Sequence, residues 1–183
     1  MAESRKPLPA LLVVAAFSRH TDALRYGRDE LERAYGVAGL VSEPFEFRET
    51  EYYRPTMGEG LLKQFLAFQQ LVDPADLATI KLRTNGIESA LVAGGCFGEV
   101  RPLNLDPGLL TLGKFMLATT KDQGHRIYLR DGIFAEVTLR YQAGAFQPWP
   151  WTYADYRRPD VHEFLLAARN FYRDRLREHV GSE

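Results

Sequence analysis

The sequence predicts an α+β protein: a largely antiparallel sheet with helices packed mainly on one face, opening with a strand-helix-strand unit. Three observations predict it. Residues 10–17, ALLVVAAF, form a continuous apolar run that gives way to an amphipathic segment ended by Gly36. The second half consists mostly of short segments with two-residue alternation, separated by glycine turns. The last twenty-odd residues carry one apolar stripe at helical spacing.

The opening run is uniformly apolar, as expected of a strand covered on both faces. Its basic lead-in imitates a secretory leader, but two prolines and the short run favour a buried strand. Thr21 or Asp22 is expected to cap the next helix, with Leu24, Leu31 and Tyr35 on one side and Gly36 as its stop. Phe45 and Phe47 alternate with Glu46 and Arg48, which predicts a strand. The box TMGE, residues 56–59, predicts a helix carrying Leu61, Leu62, Phe65, Leu66 and Phe68. DPAD, residues 73–76, starts a further helical turn. TIKLR reads as extended, and NGIE, residues 85–88, as the start of a short helix ending at Gly94 and Gly95.

Beyond residue 100, RPLNL, FMLATTK, HRIYLR and FAEVTLRYQAG read as strands. Val161, Phe164, Leu165, Ala168, Tyr172 and Leu176 align along the closing helix. The whole is expected to be one domain, residues 1–183, with 1–9 a flexible lead-in.

Composition narrows the function classes. The formal net charge is -1, and 18 Arg stand against 5 Lys. A near-neutral chain lacks the field that draws proteins to nucleic acid or anionic membranes, so neither is an expected partner. No run approaches membrane-spanning length. One cysteine, Cys96, excludes an internal disulfide and fits a reducing cytoplasm.

The hairpin in residues 121–138, KDQGHRIYLRDGIFAEVT, can be given a register. A three-residue RDG loop pairs Leu129 with Ile133, Ile127 with Ala135 and Arg126 with Glu136, and keeps apolar and polar faces apart. Arg126 and Glu136 are then either a cross-strand ion pair stabilising by about 0.2–1 kcal/mol, or a pair that also orients a ligand.

The segments FEFRETEYYRPTMGEGLLKQF, TIKLRTNGIE, RPLNLDPGLLTLGKFMLAT, HRIYL and PWTYADYR together resemble the bacterial family called domain of unknown function 4416. The resemblance covers nearly the whole chain and implies a single cytoplasmic domain. Some members carry a GTP-binding label, but this chain has no G-x-x-x-x-G-K-[ST] loop to cradle phosphates.

Four other places offer chemistry. Asn104 and Asp106 lie on one side of NLDPG, where Asp106 is either a turn former or a catalytic or Mg²⁺-binding carboxylate, with Glu136 or Asp155 as partner. Lys81 and Asn85 flank an expected helix start, which suits an anion or plain capping. Lys121 and His125 stand in the hairpin beside Arg126. Trp151, Tyr156 and Arg157 belong to FQPWPWTYADYRR, a loop that covers the core or stacks on a base. His20, His162 and His179 lack metal-ligand spacing.

The leading expectation is a phosphorylated or nucleotide-like small molecule bound on the polar face of the sheet. Lys81, Asn85, Asn104, Lys121, Arg126, Trp151, Tyr156 and Arg157 would hold it, and Asp106, His125 and Glu136 would do any chemistry. The alternatives are a protein-interaction module using residues 146–158, and an RNA-binding protein.

Overall fold

A computed structural model describes residues 3–180. Its nine strands form one antiparallel sheet: β1 (Ala10–Ser18), β2 (Ala38–Val41), β3 (Phe45–Glu46), β4 (Leu62–Val72), β5 (Asn104–Leu110), β6 (Lys114–Thr119), β7 (Ile127–Arg130), β8 (Ile133–Gln142) and β9 (Ala145–Pro148). The order across the sheet is β2-β4-β1-β5-β6-β8-β7, with β3 added to β4 and β9 to β8. Four helices complete the chain: α1 (Thr21–Tyr35), α2 (Arg54–Met57), α3 (Leu77–Ala93) and α4 (Pro159–Val180). The expected strand-helix-strand opening is present as β1, α1 and β2.

Every residue of β1 is buried, because helices cover both faces of the sheet at its centre. Leu12, Val14 and Ala16 meet α1 and α3 through Leu24, Leu31, Ile80 and Ile87. Leu11, Val13 and Ala15 point the other way, into a core with Val161, Leu165, Ala168 and Tyr172 of α4. The continuous apolar run is the signature of that double cover. Two long helices thus share one face and the third lies on the other.

Several local expectations give way to tertiary context. The apolar segment after TMGE is β4, not a helix; Lys63, Phe65 and Ala67 face α4's side, while Leu66 and Phe68 face α1 and α3. Both faces are buried, so the apolar positions are too dense to show their two-residue period. TIKLR is helical, because α3 runs unbroken from Leu77 to Ala93 with Leu77, Ile80, Lys81, Thr84, Ile87, Glu88 and Leu91 buried at helical spacing. Asn85 is therefore an interior helix residue and caps nothing. Neither Thr21 nor Asp22 is the cap of α1, whose N-cap is His20. Gly36 does end it, at φ +83°, where a side chain would be strained.

Asp106-Pro107-Gly108 makes no turn; it runs straight through β5. A proline is tolerated in this inner strand because the β5–β6 ladder covers only Gly108–Leu110. The hairpin pairs Ile127 with Ala135 as expected, but its loop is two residues, Asp131 and Gly132, both at positive φ. A bulge at Leu129 absorbs the extra residue, so Arg130 rather than Leu129 meets Ile133. A second irregularity, between Met116↔Val137 and Phe115↔Leu139, lets Thr138 bulge and turns Leu139 onto the face of α4.

α4 covers only part of its face. At the other end of that face the register aligns Lys63, Phe17 and Asn104 across β4, β1 and β5. Asp106 lies beside Ala15 in the next row, and Glu136 faces Leu117 on β8 and β6. Residues 47–57 and the loop after β9 roof this end.

Candidate functional site

Under that roof lies a cavity of about 440 Å³. Strand geometry places its floor. Successive side chains alternate between faces, so Lys63, Asp106 and Glu136 on three different strands point the same way. Each is half of an ion pair.

Lys63 donates to Asp155 Oδ2 at 2.5 Å, the two side chains being 3% and 6% exposed. Its ammonium also lies 4.8–5.6 Å from the ring centroids of Phe17, Phe47, Phe65 and Tyr156. Charge pairing and ring faces together compensate for the lost hydration of a buried ammonium. Lys81 comes from α3 on the opposite face. It reaches the cavity where β5 and β6 are not yet paired, donating to the Leu105 carbonyl at 2.9 Å and to Asp106 Oδ1 at 3.3 Å. Arg126 donates to Glu136 Oε2 at 2.8 Å, to the Lys121 carbonyl at 3.0 Å and to the Tyr153 hydroxyl at 2.6 Å. His125 Nε2 stands 3.2 Å from the same Glu136 oxygen.

Electrostatics separate the titratable groups. Burial opposes ionisation of Asp106, but Lys81, Lys63 and Arg101 outweigh it and hold the carboxyl below the usual aspartate value. Tyr53 and Tyr156 are pushed up, first by burial and then by nearby carboxylates, Asp106 for Tyr53 and Asp155 for Tyr156. The Tyr156 hydroxyl is buried with no hydrogen-bond partner among the described residues. At the rim Lys121 sits 3.9 Å above the Tyr52 ring, and its hydrogen bond to that phenol draws the Tyr52 value down. The cavity thus offers an ionised carboxylate beside phenols that keep their protons.

Of the residues singled out from sequence, Lys81, Asp106, Lys121, Glu136 and Tyr156 line this cavity. Arg126 and His125 back Glu136. Asn104 is buried one row from Asp106, and its Nδ2 lacks a partner among the described residues. Trp151 covers the hairpin, stacking on His125 at 5.2 Å and on Trp149 at 5.2 Å, with its Nε1 donating to the Val137 carbonyl. Arg157 donates to the carbonyls of Thr152, Trp149 and Pro150, so it pins the loop and does not line the cavity. Asn85, one turn beyond Lys81, does not line it either.

Sequence reasoning passed over Lys63, Arg101 and Tyr53. Lys63 did carry a signal: it is the lone cation in an otherwise apolar and amide run. Among the described residues no three His, Cys, Asp or Glu side chains are grouped so as to hold a metal ion. No helix of the described residues is long and apolar enough to cross a membrane.

Fold and site together define an α+β protein whose antiparallel sheet carries a roofed, charged cavity at one end of one face. The chain belongs to the family described as Domain of unknown function (DUF4416), whose model matches residues 8–172. No curated protein and no solved structure is similar enough to match the chain.

Proposed function

We propose that this cavity binds a phosphorylated or nucleotide-like small molecule, with Asp106 as the group that accepts a proton in any reaction there. One observation carries the reading: Lys63, Lys81, Arg101 and Lys121 converge with tyrosine rings on one hollow of about 440 Å³. That volume suits a small organic ligand. Lys121 stands on an aromatic ring rather than on a carboxylate, so its charge is available to a ligand anion at the mouth. Tyr52 and Tyr53 give a planar group something to stack on.

The loop of residues 149–156 serves this reading as a roof. Its Trp rings stack on each other, on His125 and under Arg140, 4.7 Å from Trp149, which leaves little open face for a protein or a base. The proposal places the protein in the reducing cytoplasm of a bacterium, consistent with its exposed free Cys96. The test is a thermal-shift screen with nucleotides and sugar phosphates, with and without Mg²⁺. At least one phosphorylated compound should raise Tm by several degrees, and Lys121→Ala should abolish the rise. A screen in which no phosphorylated compound moves Tm overturns the reading.

A further inference from the structure

A second hollow, of about 510 Å³, adjoins the first. Tyr52, Tyr53 and Arg101 line both, so they form a shared wall rather than the limit of the site. The two hollows differ in character. The first holds the Lys63–Asp155 and Lys81–Asp106 pairs. The second is shallower in chemistry, with Thr56, Ser89, Val92 and Val100 around Glu88. Val92 and Val100 are 45% and 74% exposed, so apolar area lies open beside the wall.

Arg101 is the cation at the junction. Its backbone N–H donates to the Thr56 carbonyl at 3.0 Å, which fixes its position in the wall. Its Nε and Nη2 both donate to Glu88 Oε2, at 3.2 and 2.8 Å, and Nη1 has no bond among the described residues. The guanidinium acts electrostatically on Asp106 in the first hollow and on Glu88 in the second. An Arg fork held on one side and open on the other is suited to a phosphate that crosses between compartments.

We infer that the ligand is a two-part molecule joined through a phosphodiester or diphosphate, with one part in each hollow and the linking phosphate at Arg101. This rests on the proposed phosphate-ligand reading and adds that a mononucleotide or simple sugar phosphate fills only half of the site. Competing fits differ sharply in length, so the inference can be tested by matched halves.

The experiment titrates the full chain calorimetrically with two probe pairs: AMP against di(adenosine-5′) diphosphate, and glucose 1-phosphate against UDP-glucose. At least one two-part probe should bind tenfold or more tightly than its half. Val92→Trp, and independently Ser89→Trp, change exposed helix positions and fill the second hollow. Each should remove that gain and leave the affinity for the half unchanged. Equal affinity of whole and half, or a gain that survives both Trp variants, overturns the two-part ligand while the phosphate reading stands. Binding by none of the four probes, together with a phosphate screen that leaves Tm unmoved, overturns both.

Discussion

Lys63 on β4 and Asp155 in the roof loop meet at 2.5 Å although 92 residues separate them. This contact ties the roof to the floor. Both side chains are almost fully buried, so removing one partner leaves an uncompensated charge inside the protein. Asp155→Ala should therefore destabilise by about 3–5 kcal/mol in urea unfolding. The double variant Lys63→Met, Asp155→Leu removes both charges and should recover at least half of that loss. A double variant no more stable than the single would refute the account.

Arg126 and Glu136 obey the same logic. From sequence they are a cross-strand pair of modest worth, but each side chain is 1% exposed, and Glu136 also receives His125 and contacts Thr138 Oγ1 at 3.3 Å. Arg126→Ala should cost about 3 kcal/mol, well above the range for an exposed pair. The contrast is Asp22 with Arg25 on α1, at 70% and 72% exposed. Asp22→Ala should change stability by no more than about 0.5 kcal/mol. Chemical denaturation of the two variants side by side decides between them.

The legible parts of this protein are those where one physical signal dominates. β1 was readable because burial on both faces produces an unbroken apolar run, and α4 because one buried stripe produces a clean helical period. β4 is hard to read because both of its faces are buried, which blurs the two-residue period, and α3 because its one buried stripe includes Lys81, Thr84 and Glu88 while Leu82 and Val92 lie exposed. Asp-Pro-Gly looked like a turn since turn chemistry is local, whereas the missing β6 partner that admits Pro107 into a strand is not. At the site, the register of Arg126 against Glu136 was recoverable from alternation. The convergence of Lys63 with Asp106 was not, because it needs β1 to lie between β4 and β5.

Acid should destabilise the fold through Asp106 and Glu49. Asp106 and Glu49 both have folded values below their ordinary ones, Glu49 because Arg158 outweighs its burial. Protons therefore bind the unfolded state more readily. Their stabilisation is present above ordinary values of 3.8 and 4.5 and is lost as pH falls through the lower folded values. Asp106→Asn should flatten the acid limb of the stability profile.

Glu88 has the opposite sign, since burial raises it despite Arg101 and Lys81. Between 4.5 and that raised value the folded state holds the extra proton, so stability climbs on acidification. Glu88→Gln should remove that climb. Tm measured from pH 7 to pH 3 for the three proteins gives both slopes, and parallel profiles would contradict them.

Gly108 tests whether the site depends on how closely β5 and β6 approach. A Cβ there would stand 2.4 Å from the Met116 carbonyl oxygen and 2.6 Å from the Phe115 ring. The nearer atom is backbone, so rotamer changes alone cannot relieve the clash, and the strands must part. Such overpacking costs about 1–3 kcal/mol. Parting them also disturbs the place between β5 and β6 where Lys81 reaches Asp106, two residues upstream. Gly108→Ala should therefore lower the denaturation midpoint and weaken any phosphate-dependent rise in Tm together. Gly86→Ala lies on exposed helix with nothing within 4 Å and φ outside the strained range, so it should change neither adversely.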